Sequence, residues 1–131
     1  IIETLNAAGV SFLLLEYIKE ANGSDVRAIV VDGVVVASML RKCKIGDFRS
    51  NLHRGGTSEK IELSAAEEKI AIKAAKAMGL GFCGVDILKS ISGPLVLEIN
   101  STPGLEGIES TSGRNISKSV IGYIERNHKK N

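Results

Sequence analysis

Apolar positions first cluster in "SFLLLEYI" (residues 11–18), a run that predicts a buried strand, and the polar stretch "EANGSD" predicts the turn that follows it. Two further runs within "VRAIVVDGVVVASML" flank Asp32-Gly33, a dipeptide that between β-rich segments predicts a hairpin. From Arg41 to Thr57 the apolar pattern stops, which predicts a long loop. Ser64 with Glu67 predicts a capping box, followed by a helix over 65–78 with Ile70, Ala74 and Met78 on its apolar stripe and Gly79 past its end. "FCGVDILKSISGPLVLEIN" reads as a second hairpin about "SISGP", and "STPGLEGIESTSG" as a Gly-rich polar loop. Ile116, Val120 and Ile124 predict an amphipathic C-terminal helix with Asn115 as its N-cap. The expected fold is α+β, one domain over 1–131, with an antiparallel sheet of two hairpins covered by helices.

Within the second hairpin, centring the turn on Ser92 pairs Asp86 with Glu98 and Gly84 with Asn100. Residues two apart in a strand share a face, so all three polar groups lie together, and Gly84 leaves open space beside them. Two directly opposed carboxylates repel. A divalent cation would offset that repulsion, and carboxylate and amide oxygens are the hard ligands Mg²⁺ accepts. The alternative is a solvated sheet face. Leu95, Leu97 and Ile99 supply an inward face that suits this alternative, whereas Phe82, Leu88 and Val96 on the polar side oppose it.

The predicted loop over 41–57 holds five Arg and Lys, one His and three Gly in 17 residues. Arg49, His53 and Arg54 among Gly46, Gly55 and Gly56 suit either a lid over anionic groups or a solvated basic loop. Over the whole chain the charge is balanced, 17 basic against 15 acidic side chains and a net +2, which gives no electrostatic signature of nucleic-acid binding. With 44% hydrophobic residues and no apolar run of bilayer length, a membrane span is not expected. The basic "ERNHKK" reads as a solvated helix end. Cys43 and Cys83 lack metal-ligand spacing, and Cys83 sits in an apolar strand pattern that suits a buried reduced thiol, as expected in the cytoplasm.

Taken in order and spacing, "EYIKEANGSDVR", "GDFRSNLHRGG", "GVDIL" and "LEINSTPGLEGIE" resemble the C-terminal part of an ATP-grasp ligase, and most closely the RimK-like ribosomal-protein glutamate ligases. The resemblance implies that Asp86, Glu98 and Asn100 bind two Mg²⁺ or Mn²⁺ ions bridging the phosphates of ATP. It implies further that Glu16 and Tyr17 meet the adenine, that Asp25 meets the ribose, and that Arg49, Ser50 and Asn51 line the phosphates and the reacting carboxylate, with Arg41 as a second catalytic arginine nearby. The role of Arg27 stays open. Relatives often carry an acid where Leu40 precedes Arg41.

The implied reaction joins glutamate to the acidic C-terminus of a small-subunit ribosomal protein through an acyl phosphate, in a cytoplasmic homo-oligomer. Transfer of an amino acid to a small-molecule cofactor or carrier, or non-catalytic nucleotide binding, are the alternatives. No "K-x-x-x-G-x-x-G" stretch of the first ATP-grasp subdomain occurs, so the chain is expected to be a fragment, lacking the N-terminal domain and that subdomain, and inactive alone.

Overall fold

The computed structural model describes residues 1–43 and 56–128. Five strands form one antiparallel sheet in the order β3-β2-β1-β4-β5: β1 Ser24–Val31, β2 Val34–Lys42, β3 Thr57–Lys60, β4 Phe82–Ser90 and β5 Gly93–Asn100. Both predicted hairpins are present. Asp32 and Gly33 adopt φ of 54° and 75°, the two consecutive left-handed residues that a tight hairpin turn requires.

Helices cover both faces. Helix α2 (Ala65–Ala77) sets Ala71 and Ala75 against Val26, Ala28, Val30, Cys83, Val85 and Ile87. On the other face, Ile108 of α3 (Glu106–Ser112) and Ile116 of α4 (Ile116–Asn127) pack on Ile29, Val31, Ala37 and Met39. Helix α1 (Ile2–Ala7) buries no residue. Asn115 caps α4 as expected, its Oδ1 accepting from the Lys118 backbone N–H at 2.8 Å. Cys43 and Cys83 are free thiols, and burial pushes the Cys83 thiol up.

Four expectations need correction. Residues 11–18 form no strand and are mostly exposed, Leu13 at 80%; no described strand offers this run a ladder, and an apolar sequence alone cannot satisfy backbone hydrogen bonds. The ends of the predicted loop are strand: Arg41 and Lys42 continue β2, and Thr57 begins β3. "STPGLEGIESTSG" contains helix α3, anchored by buried Ile108. On α2 the fully buried residues are Glu67, Ala71 and Ala75; the predicted Ile70 and Ala74 are half-buried and pack beside them on the core, whereas Met78 is exposed.

The capping box is complete: Ser64 Oγ accepts from the Glu67 N–H at 3.3 Å, and Glu67 Oε2 accepts from the Ser64 N–H at 2.8 Å. Burial opposes ionisation of Glu67, but the Ser64 donors and Lys89, 3.4 Å away, outweigh it and hold its pKa below the ordinary 4.5. A carboxyl with a depressed folded-state pKa stabilises the fold above its unfolded pKa and loses that contribution as pH falls through the folded value. Replacing Glu67 with Gln should therefore flatten the acid limb of stability below about pH 4.5, and Glu67→Ala should cost about 1 kcal/mol at neutral pH by urea titration. An unchanged acid limb in Glu67→Gln would remove Glu67 from the pH dependence.

Candidate functional site

Helices α3 and α4 cover the half of their sheet face that holds Ile29, Val31, Ala37 and Met39. Strand alternation puts Asp25, Arg27, Arg41 and Asp86 on the same face, at its other half, with Gly84 across from Ile29. There Asp25 lies directly across from Arg41, and Arg27 directly across from Asp86.

These cross-strand pairs form one ion network. Arg27 donates from Nε to Asp86 Oδ1 at 2.8 Å and from Nη2 to Asp86 Oδ2 at 2.7 Å. Arg41 donates from Nε to Asp25 Oδ1 at 2.7 Å, from Nη2 to Asp25 Oδ2, and from the same Nη2 to Asp86 Oδ2 at 2.8 Å. Asp25, Arg41 and Asp86 are buried, and two guanidiniums balance two carboxylates. Burial alone would ease the proton off Arg41, but Asp25 and Asp86 together outweigh it and raise its pKa. Arg41 thus stays charged.

The predicted pairing of the second hairpin is present where it matters: Gly84 faces Asn100 and Asp86 faces Glu98. Beyond Asp86 the register shifts, pairing Ile87 with Val96 and Ser90 with Gly93, so Leu97 is the extra residue of a bulge and the turn is Ile91-Ser92. Two features differ from expectation. Pro103 closes the space over Gly84, its Cβ lying 3.0 Å from where a Gly84 Cβ would sit. Leu95 and Leu97 are exposed, since β5 is an edge strand.

Glu98 is exposed and Asn100 half-buried, with Asn100 Oδ1 accepting from the Thr102 N–H at 2.9 Å. Repulsion between Asp86 and Glu98 does not by itself demand a cation here, because Arg27 and Arg41 already neutralise Asp86. The donor chemistry nevertheless fits Mg²⁺ or Mn²⁺: Asp86 Oδ1 accepts one hydrogen bond and retains a lone pair, and Glu98 and Asn100 add hard oxygens. Among the described residues no three His, Cys, Asp or Glu side chains converge to hold a metal, so water and phosphate oxygens would complete the coordination.

Glu16 and Tyr17 line a cleft of about 540 Å³ with Ile18, Lys19, Glu20, Leu95 and the hairpin turn Ser90–Ser92. Strand β4 connects Asp86 to Ser90 over roughly 13 Å, so cleft and ion network lie at the same end of the sheet. Arg49, Ser50, Asn51, His53 and Arg54 lie outside the described residues. Arg27 is the site residue that sequence reasoning left without a role. Its signal was the spacing from Asp25, which puts both on one strand face.

Antiparallel sheet and helices together define the class: this is the fold of ATP-grasp ligases. The solved structure of the ATP-grasp ligase PsnB complexed with a phosphomimetic variant of minimal precursor, Mg and ADP superposes with a TM-score of 0.65 at 25% identity, covering 85% of this chain and 33% of that one. D-alanine–D-alanine ligase from Bacillus anthracis complexed with ATP shares the fold, with a TM-score of 0.62 at 17% identity over 95% of this chain and 44% of that one. The family model for the RimK-like ATP-grasp domain matches residues 1–124, and the chain belongs to that family. It is 53% identical over 131 residues to a probable alpha-L-glutamate ligase 2 of Pseudoalteromonas atlantica, covering 100% of this chain and 44% of that protein. It is 55% identical over 129 residues to a probable alpha-L-glutamate ligase of Cellvibrio japonicus, covering 98% of this chain and 43% of that protein. The chain thus spans less than half the length of these relatives.

Removing one partner from a buried ion pair strands the other charge. Arg41→Ala should lower stability by about 3–5 kcal/mol, because Asp25 loses both its guanidinium contacts. Arg27→Ala should cost less, about 1–2 kcal/mol, because Asp86 keeps Arg41. Urea midpoints measure both, and equal small losses would show that solvent, not the network, neutralises these carboxylates.

Proposed function

We propose that this chain is the C-terminal part of an ATP-dependent carboxylate–amine ligase that adds glutamate to the C-terminus of a small-subunit ribosomal protein. The observation that carries the reading is the identity above 50% to probable alpha-L-glutamate ligases along the whole chain. In its support, the hairpin register sets Asp86 opposite Glu98, two residues from Asn100, at the same end of the sheet as the cleft lined by Glu16 and Tyr17.

In this reading Glu16 and Tyr17 contact the adenine and Asp25 the ribose. Asp86, Glu98 and Asn100 hold two Mg²⁺ or Mn²⁺ ions, which when bound would neutralise the phosphates of ATP. Arg49, Ser50 and Asn51 line the phosphates and the reacting carboxylate. An oxygen of the acceptor carboxylate takes the γ-phosphoryl group, releasing ADP. The amino group of glutamate then attacks the acyl carbon, forming the amide, losing a proton and expelling phosphate. Arginine donors stabilise charge on the transferring group, and exclusion of water protects the acyl phosphate.

PsnB is solved with a peptide precursor, which favours a polypeptide acceptor over a small molecule. Among the described residues no helix is long and apolar enough to cross a membrane. A cytoplasmic homo-oligomer completes the proposal.

Glu98 offers the cleaner test, because it is exposed whereas Asp86 holds two arginines. In the full-length protein, sustained ADP release over many turnovers should require both glutamate and an acidic peptide with a free C-terminal carboxylate. Glu98→Gln should reduce that release at least about 100-fold with an unchanged urea midpoint. Release supported by a small-molecule carboxylate but not by the peptide would favour the cofactor-ligase reading, and full turnover in Glu98→Gln would exclude the metal role.

A further inference from the structure

The shared guanidinium of Arg41 has a consequence for how the two ends of the site communicate. Its Nη2 donates to Asp25 Oδ2 and also to Asp86 Oδ2, while its Nε is committed to Asp25 Oδ1. Asp86 accepts two more hydrogen bonds from Arg27. All three strands that carry these groups are interior to the sheet, and Asp25, Arg41 and Asp86 are buried, so none can relax into water without disturbing its neighbours.

We propose that Arg41 is a positioning residue that links Asp25 to Asp86, so that occupancy at the ribose side alters cation affinity at the metal side. The inference rests on the reading in which Asp25 meets ribose and Asp86 a divalent cation. A cation approaching Asp86 competes with Arg41 Nη2 for Oδ2, and how readily Nη2 yields depends on how strongly Asp25 holds the rest of the guanidinium. Ribose hydroxyls donating to Asp25 drain charge from that carboxylate and loosen its hold. Nη2 then settles on Asp86, and a free cation binds less tightly. Arg27 and Arg41 act as resident counter-charges against which a cation at Asp86 must compete.

Adenosine is the appropriate probe, because it carries base and ribose but no phosphate that could chelate a metal. In the full-length protein, free Mn²⁺ is measured by electron paramagnetic resonance with and without saturating adenosine. Adenosine should raise the Mn²⁺ dissociation constant about 5-fold or more in the wild type. In Arg41→Lys, whose point charge cannot fork between two carboxylates, the shift should fall below about 2-fold. Independent binding of both ligands to the wild type, or the same shift in Arg41→Lys, would overturn the linkage and leave the ligase reading standing. Failure of the wild type to bind either ligand would overturn both. Should Arg41→Lys not fold, the Arg41 Nε–H resonance of the wild type decides: adenosine alone and Mg²⁺ alone should each move it, and a resonance indifferent to either contradicts the linkage.

Discussion

Asp25, Arg27, Arg41 and Asp86 come from three adjacent strands, and their mutual neutrality is the condition on which those strands can pack side by side. Taking a single ionised carboxylate out of water costs several kcal/mol, more than a few strand hydrogen bonds return. Direct cross-strand placement supplies each charge with its counter-charge at the moment the ladder forms. The same register that pairs Arg27 with Asp86 pairs Ile29 with Gly84, so the polar and apolar halves of this face are set by one alignment. A slip by one residue would put arginines into the core under α2.

The edge strand answers a different constraint. A two-residue turn at Ile91-Ser92 and a pairing of Asp86 with Glu98 are incompatible in a regular ladder, and the bulge at Leu97 reconciles them. Pro103 then folds back over Gly84, which places the residues following Asn100 against β4. Gly84 is needed for close approach of another segment, not for open space.

Much of this was legible in the sequence because its signals are local. The Ser64 and Glu67 box, the Asp32-Gly33 turn and the Asn115 cap each depend on side chains within a few residues of one another. The facing of Asp86 and Glu98 was legible for the same reason, although the turn was centred one half-step off and only the bulge restored agreement. What was not legible depends on contacts distant in the chain. Residues 11–18 carry the composition of a buried strand, but composition names no partner. β3 is a polar four-residue strand recruited by β2, and α3 hides in a Gly-rich run where Ile108 supplies the apolar anchor to the core. Arg27 gains its role only once β1 and β4, which are 59 residues apart at Arg27 and Asp86, become neighbours.

Asp86 and Glu98 are therefore unequal partners despite facing each other. Asp86 lies on an interior strand, buried and held by two guanidiniums; Glu98 lies on the edge strand, exposed. One carboxylate is fixed before any ligand arrives, while the other retains side-chain freedom that a ligand must remove. In the proposed metal site the fixed group would define where positive charge is tolerated, and the exposed one would add its charge only when a cation brought enough attraction to order it. Removal of Asp86 unbalances the ion network of the sheet, whereas removal of Glu98 leaves that network intact, so a loss of function at the two positions would have different physical meanings.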